Sequence, residues 1–388
     1  MNAGRPNRMT ELPLDPPRTP AIPVGVTGIL NVDLGALVAN WRQLQHFVGA
    51  GCTVAATVKA DAYGLGLPPV VHALAGAGCR WFFVATLEEA ATLADLLLPY
   101  LDCRIALLAG PIAGSAGEIA RIPTILPVLN DLGQIAEWRR AAPGRPALLH
   151  LDTGLSRLGM EPAEARRLAA EPDRLTGIRL AAIMSHLACA DIPDHPMNTA
   201  QRAAFEDLTR LLPPTPRSLA ASYGIFLGAA YHYDMVRPGG ALYGLNPSPG
   251  TTNPMKQVIG LKARILQIRE IDAGRSVGYG ARYTADRPHR IATLGVGYAD
   301  GILRCAGDRA GVYIGSVEVP IIGRISMDLI TVDVSAVPPS DAVPGGFADV
   351  LGPHYGADAL ARDSGTIGYE LLTRLGARLH RTYKAASH

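Results

Sequence analysis

Residues 54–66 read VAATVKADAYGLG: an unbroken apolar run, a lysine, then a polar loop containing glycine. A run without polar alternation fits a strand buried on both faces. Lys59 closes that run, at the strand end where βα-barrels build their active sites. A lone lysine there would most simply be a surface side chain reaching out of the strand end. Tyr63, expected one helical turn further on, and Gly64 and Gly66 behind it change that reading. They offer a hydroxyl and open backbone amides to an anion.

Similar apolar runs recur downstream. WFFVA begins at 81, IALLA at 105, ALLHL at 147, LAAIM at 180 and SLAAS at 218, with helical stretches between them up to about residue 245. Strand and helix alternating in this way imply a parallel sheet. About eight such units fit the span, which predicts an α/β fold: a closed (β/α)8 TIM-like barrel rather than an open doubly wound sheet. Upstream, Leu34, Leu37, Val38, Trp41 and Leu44 keep helical spacing, and Asp33 stands where an N-cap carboxylate would.

The pattern breaks at SPGTTNP, residues 248–254, where turn residues replace periodicity. Beyond it LKARILQIREI alternates with period two, and VYIGSVEVPII carries Gly315-Ser316 between two strand-like runs, which predicts a tight hairpin. Ile367, Leu371, Leu372 and Leu375 then return to helical spacing ahead of a basic tail. The expected division is a flexible Pro-rich leader over 1–26, the barrel over 27–250 and a mainly β C-terminal domain over 251–388.

With 388 residues, 48% of them hydrophobic, the chain can bury more than one core. Its 36 basic and 34 acidic residues give a net charge of +2 without long single-sign blocks, so nucleic acid is not an implied partner. No run approaches the roughly 18 apolar residues of a membrane span, and the N-terminal stretch lacks the apolar core of a secretory signal. The cytoplasm is the expected compartment. The cysteines at 52, 79, 103, 189 and 305 have no CxxC spacing and are expected to be reduced and mostly buried. No metal site is expected.

Further segments carry chemistry. HLDTGLSRLGM (150–160) holds Arg157, SHLACAD (185–191) puts His186 just after a strand, and SLAAS ends on Ser222. MVRPGGALYG (235–244) holds Arg237 and Gly239; VGYGARY (277–283) holds Tyr279; VGYADG (296–301) holds Tyr298. GRISMD (323–328) holds Met327 and Asp328, and TIGYELLTRLG (366–376) holds Tyr369. Taken singly each has a plain reading, as a core histidine or a packing tyrosine.

Together, in order and over nearly the whole chain after the leader, these segments resemble those of the alanine racemases. The resemblance implies pyridoxal 5'-phosphate carried covalently on Lys59, with its phosphate bound by Tyr63, Ser222, Gly239 and Tyr369. Arg237 would face the pyridine nitrogen and His186 would touch that arginine. Lys59 and Tyr279 would be the two catalytic bases, Tyr279 supplied by the neighbouring subunit of a homodimer, because inversion at one carbon needs a proton acceptor and a donor on opposite faces. Arg157 would lie beside the phenol of the second base, while Tyr298, Met327 and Asp328 would line the entrance or hold the substrate carboxylate. The implied reaction is interconversion of L- and D-alanine, supplying D-alanine for peptidoglycan or serving alanine catabolism.

Two positions depart from the pattern. Relatives often have a lysine, modified to a carbamate, where this chain has His150. A cationic His150 would repel Arg157, so it is expected to stay neutral, or a chloride to sit between them. Relatives commonly have asparagine where Ala221 precedes Ser222, so the phosphate shell or substrate pocket is altered. A racemase of serine or of a broader amino acid set is the main alternative. A basic amino acid decarboxylase would lack the Arg237 and Tyr279 arrangement, a pyridoxal phosphate carrier of the single-barrel kind needs no second domain, and a purely structural module would leave the joint agreement unexplained.

Overall fold

The computed structural model describes residues 23–100 and 102–385; the expected leader lies, up to residue 22, outside the described residues. In chain order the first strand is β1 (Gly28–Asp33), followed by a helix over Leu34–Val48 whose N-cap is Asp33, its Oδ1 accepting the Ala36 amide at 2.8 Å. The barrel strands are β2 (Thr53–Val54), β3 (Ala56–Thr57), β4 (Trp81–Val84), β5 (Arg104–Leu107), β6 (Ile125–Leu129), β7 (Pro146–His150), β8 (Arg179–Met184), β9 (Arg217–Ser218) and β10 (Met235–Val236).

From β3 to β9 each strand pairs in parallel with the next, and β10 pairs in parallel with β2. The ring closes because the Asp234 amide donates to Arg217 O at 3.0 Å, that of Ala55 to Val236 O at 2.9 Å and that of Thr57 to Pro238 O at 3.0 Å. Since Ala55 thereby joins β2 to β3 as one stave, the barrel is eightfold, as expected. Side chains alternate between two cores: Phe83, Ala106, Leu126, Leu148 and Met184 fill the interior, whereas Phe82, Ile105, Ile125, Leu149 and Ile183 face the helices. That two-sided burial is why the strands read as apolar runs.

The second domain contains β11 (Ile259–Ile271), β12 (Ser276–Val277), β13 (Tyr283–Thr284), β14 (His289–Leu294), β15 (Gly311–Ile314), β16 (Val317–Pro320), β17 (Ile330–Asp333), β18 (Phe347–Leu351) and β19 (His380–Lys384). Strand β11 is central, pairing antiparallel with β1, β14 and β18. The hairpin at Gly315-Ser316 forms as expected, with Ile314 opposite Val317 and Gly315 at φ 62°.

Three expectations change. Strand β1 falls in the stretch assigned to the barrel, yet it lies in the second domain's sheet, between β11 and β19. The basic tail is not a tail: after the short helix Gly368–Thr373 the chain forms β19, parallel to β1. The last strand also buttresses the loop after Lys59, with Arg381 Nη2 donating to Gly64 O at 2.8 Å and the Tyr383 hydroxyl to Leu65 O at 3.0 Å. Cys79 and Cys103 are buried, Cys52 and Cys189 half-buried and Cys305 exposed, so burial of the thiols is less general than expected.

Candidate active site

Lys59 ends its strand at the C-terminal mouth of the barrel, and the four residues after it do not form the right-handed turn expected from their composition. Ala60, Asp61, Ala62 and Tyr63 all have φ between 53° and 59°. A left-handed conformation costs about 1–2 kcal/mol for each residue with a Cβ. Local bonds offset that strain: the Ala60 amide donates to Glu89 Oε1 at 2.6 Å, that of Leu67 to Asp61 Oδ1 at 2.7 Å and that of Gly66 to Asp61 O at 3.0 Å. The turn buries Tyr63 instead of letting its ring swing to solvent. Burial, reinforced by the charge of Arg157 and partly countered by Glu89, lowers the Lys59 pKa, so more of it is the free amine that acts as a nucleophile.

Donors converge beside that turn. The buried Ser222 Oγ accepts from the Gly239 amide at 3.0 Å and the Ala241 amide at 3.1 Å. A Cβ on Gly239 would stand 2.1 Å from the Tyr63 hydroxyl, and one on Gly240 would stand 2.6 Å from Cζ of Tyr369, so both rings press onto a backbone that only glycine permits. The rings of Tyr63 and Tyr369 lie 6.0 Å apart, and Tyr223 adds a third, 5.8 Å from Tyr369. Burial raises the pKa of Tyr63 and of Tyr369, so both remain protonated donors at neutral pH. Two phenols and a serine hydroxyl, whose oxygen is held by two backbone amides so that its O–H is left to donate, suit a phosphate dianion.

Deeper in the barrel Arg237 is 4% exposed and surrounded by neutral acceptors. It donates to Ser218 Oγ at 2.5 Å, Ser185 O at 2.6 Å and Leu219 O at 3.3 Å, with His186 Nδ1 at 3.5 Å. Burial brings its pKa down to about 9, which leaves it cationic at neutral pH. Burial and the Arg237 charge push His186 down to about 3, so it is neutral. His150, 7% exposed, is held near 4 by burial and by Arg237. Its Nδ1 lies 2.8 Å from Asn130 Oδ1. The Asn130 amide nitrogen already faces Val128 O at 3.0 Å and Leu108 O at 3.2 Å, so the oxygen is the end that meets the histidine. A carbonyl oxygen only accepts, so Nδ1 carries the proton and Nε2 is a bare acceptor.

Arg157 follows a loop organised by Asp152, whose carboxylate accepts the amides of Gly154, Leu155 and Ser156, each at 2.9 Å. Its side chain is exposed. The remaining expected residues lie on the second domain. Tyr279 is 72% exposed, in the turn between β12 and β13, and Tyr298 and Met327 are also exposed. Their segments pack together: the Tyr298 amide donates to Ser326 O at 3.1 Å and that of Ala299 to Met327 O at 3.0 Å. Asp328 has its carboxylate engaged by Arg378 Nη1 at 2.6 Å, and Arg378 also clasps Asp300.

The structure thus brings Lys59, Tyr63, His186, Ser222, Arg237, Gly239 and Tyr369 to one barrel mouth, and sets Tyr279, Tyr298, Met327 and Asp328 on an open face of the second domain. Sequence reasoning missed Ser218, which receives Arg237, Asn130, which sets the His150 tautomer, and Tyr223, against Tyr369. Ser218 stood in the quoted SLAAS run; the other two carried no local signal. Among the described residues no group of His, Cys, Asp and Glu could hold a metal ion.

Comparison with known proteins matches residues 32–247 to the alanine racemase N-terminal domain and residues 258–383 to the alanine racemase C-terminal domain. An alanine racemase of Rhodospirillum rubrum is 49% identical over 361 residues, covering 92% of this chain and 96% of the relative. A catabolic alanine racemase of Mesorhizobium japonicum is 46% identical, covering 92% and 93%. Among solved structures, alanine racemase from Bartonella henselae with covalently bound pyridoxal phosphate superposes with a TM-score of 0.88 at 38% identity, covering 92% of this chain and all of the other.

Proposed function

Because this chain belongs to the alanine racemase family, we propose that it interconverts L- and D-alanine by a two-base mechanism in which Lys59 and Tyr279 work on opposite faces of the substrate. Pyridoxal 5'-phosphate, the family's cofactor, supplies when bound an electron sink that makes the Cα proton labile. The barrel mouth fits it: the cradle of Tyr63, Ser222, Gly239 and Tyr369 suits its phosphate, and Lys59, with its lowered pKa, suits covalent attachment.

Arg237 is the observation that carries the reading. A carboxylate at that position could share a proton with a pyridine nitrogen, whereas a guanidinium donates a hydrogen bond and keeps its proton. Neutral His186 and Ser218 hold Arg237 without neutralising it. That restraint weakens the sink and favours return of the proton to Cα, which is racemisation. Lys59 holds a proton on one face; Tyr279 of the partner subunit supplies the other, a role that its exposure on the second domain supports. Arg157 orients that phenol, and the Met327 and Asp328 backbone with Tyr298 receives the substrate carboxylate. A shared-site homodimer follows. Cell-wall supply and alanine breakdown would use the same chemistry.

Incubation with L-alanine or L-serine and chiral separation of the products tests the substrate. Faster racemisation of alanine is expected; faster turnover of serine would overturn that preference and assign it to the pocket around Ala221. Gly239→Ala drives a methyl into the Tyr63 hydroxyl. Overpacking of this kind costs about 1–3 kcal/mol, or roughly 5- to 150-fold in cofactor affinity, measurable by titrating the apoenzyme with cofactor. Neutral His150, offering a bare Nε2, removes the need for an anion beside Arg157. Activity should change less than about twofold when chloride is exchanged for acetate at constant ionic strength; a larger loss would favour a bound chloride, the alternative to a neutral His150 that the sequence left open.

A further inference from the structure

The hairpin that carries Tyr279 is pinned from behind by a cluster outside the site described so far. Strands β12 and β13 pair through Ser276 with Thr284 and Val277 with Tyr283, which places Tyr283 across from a residue two positions before Tyr279. The Tyr283 ring packs on a small core of Ile271, Val277, Ala285, Ile291 and Ile322. Its hydroxyl lies 3.1 Å from Nε2 of His289, the first residue of β14. The same Nε2 lies 2.9 Å from Asp286 Oδ1, and Nδ1 lies 2.7 Å from Asp333 Oδ2. His289 is 5% exposed.

An imidazole nitrogen cannot serve both partners at Nε2 in the same way. Protonated, it donates to the Asp286 carboxylate; bare, it accepts the Tyr283 O–H. Nδ1 donates to Asp333 in either state, and Asp333 is itself fixed by the Ser335 amide at 2.9 Å and the Ser335 hydroxyl at 2.6 Å. Asp286 is the more exposed partner, its side chain 77% accessible against 14% for Asp333.

We infer that His289 is a positioning residue for Tyr279, exchanging Asp286 for Tyr283 at Nε2 as it loses its proton and thereby tying the Tyr279 hairpin directly to β14. This rests on the reading of Tyr279 as the second base. The groups facing the imidazole are Asp286 from the turn before β14, Asp333 from β17 and Tyr283 from β13; on the β11 side it meets apolar Ile271. Arg287 acts on Asp286 and lowers its pKa further. The carboxylates raise the His289 pKa, so the cation is favoured until the pH passes that raised value. Below it the single Nε2 proton is drawn to the Asp286 carboxylate, which outcompetes the neutral phenol oxygen for it; above it Tyr283 donates to a bare Nε2 and the hairpin is braced. The turnover rate should therefore rise as the pH climbs through the His289 ionisation.

The test follows kcat and KM against pH in the holoenzyme alongside the imidazole nitrogen resonances of His289. In the native enzyme kcat should rise with the His289 titration while KM changes less than about twofold, since positioning of the base affects the chemical step. Asp286→Asn, at an exposed position, removes one carboxylate and should move both titrations down by about one pH unit. Tyr283→Phe should move the His289 titration slightly upward, by less than about one pH unit, because the neutral imidazole loses a hydrogen bond, and should abolish the matching rise in kcat. A rise that survives Tyr283→Phe, or that stays put in Asp286→Asn while the resonances move, overturns the inference. Full activity of Tyr279→Phe would instead overturn the reading on which it rests.

Discussion

Replacing Lys59 by alanine is expected to remove racemisation by a factor of at least about 10,000, because in the proposed mechanism one side chain would serve both covalent attachment and proton transfer. The position is specific in physical terms. It closes a stave of the barrel, it is followed by four left-handed residues that turn Tyr63 inward beside Gly239, and burial with Arg157 lowers its pKa. The substitution adds no bulk and leaves the bonds of the Asp61 turn intact, so the variant should fold. Its visible absorbance with added cofactor should lack the lysine-bound band, and L-alanine should not lose its Cα proton. Retention of the band would mean that another amine holds the cofactor.

Tyr279→Phe should lower kcat by about 100- to 10,000-fold, the usual range for a positioned acid or base, with little effect on folding because the ring is 72% exposed. Its exposed position on the second domain, apart from the residues gathered at the barrel mouth, makes a second consequence testable. In the proposed shared-site homodimer each site would take Lys59 from one subunit and Tyr279 from the other. Random exchange between Lys59→Ala and Tyr279→Phe homodimers gives half heterodimers with one intact site of two, so roughly a quarter of native activity should return. Without any recovery, the two residues do not meet across a subunit interface.

The barrel was legible because its staves are buried on both faces and therefore read as apolar runs. Strand β6 was the exception: ILPVL carries Pro127, which reads against a central strand. Strand β19 was opaque for another reason, since HRTYK has little apolar character and its partner β1 lies about 350 residues away in sequence. The left-handed turn was invisible because KADAY is made of residues that ordinarily favour a right-handed one. At the site the motifs located each cluster, but their fine adjustment came from residues distant in sequence: Asn130 sets the His150 tautomer, Ser218 receives Arg237, and Asp333 holds His289, 44 positions earlier. A single sequence displays which groups are present and leaves open which of them share a proton.

The most direct test of the two-base account is solvent exchange at Cα in Tyr279→Phe. In deuterated water, with L-alanine and D-alanine offered separately, the variant should incorporate deuterium into only one enantiomer, the one whose proton faces Lys59, with little inversion of either. Equal incorporation into both enantiomers, or racemisation that keeps pace with exchange, would contradict the assignment of one base to each face.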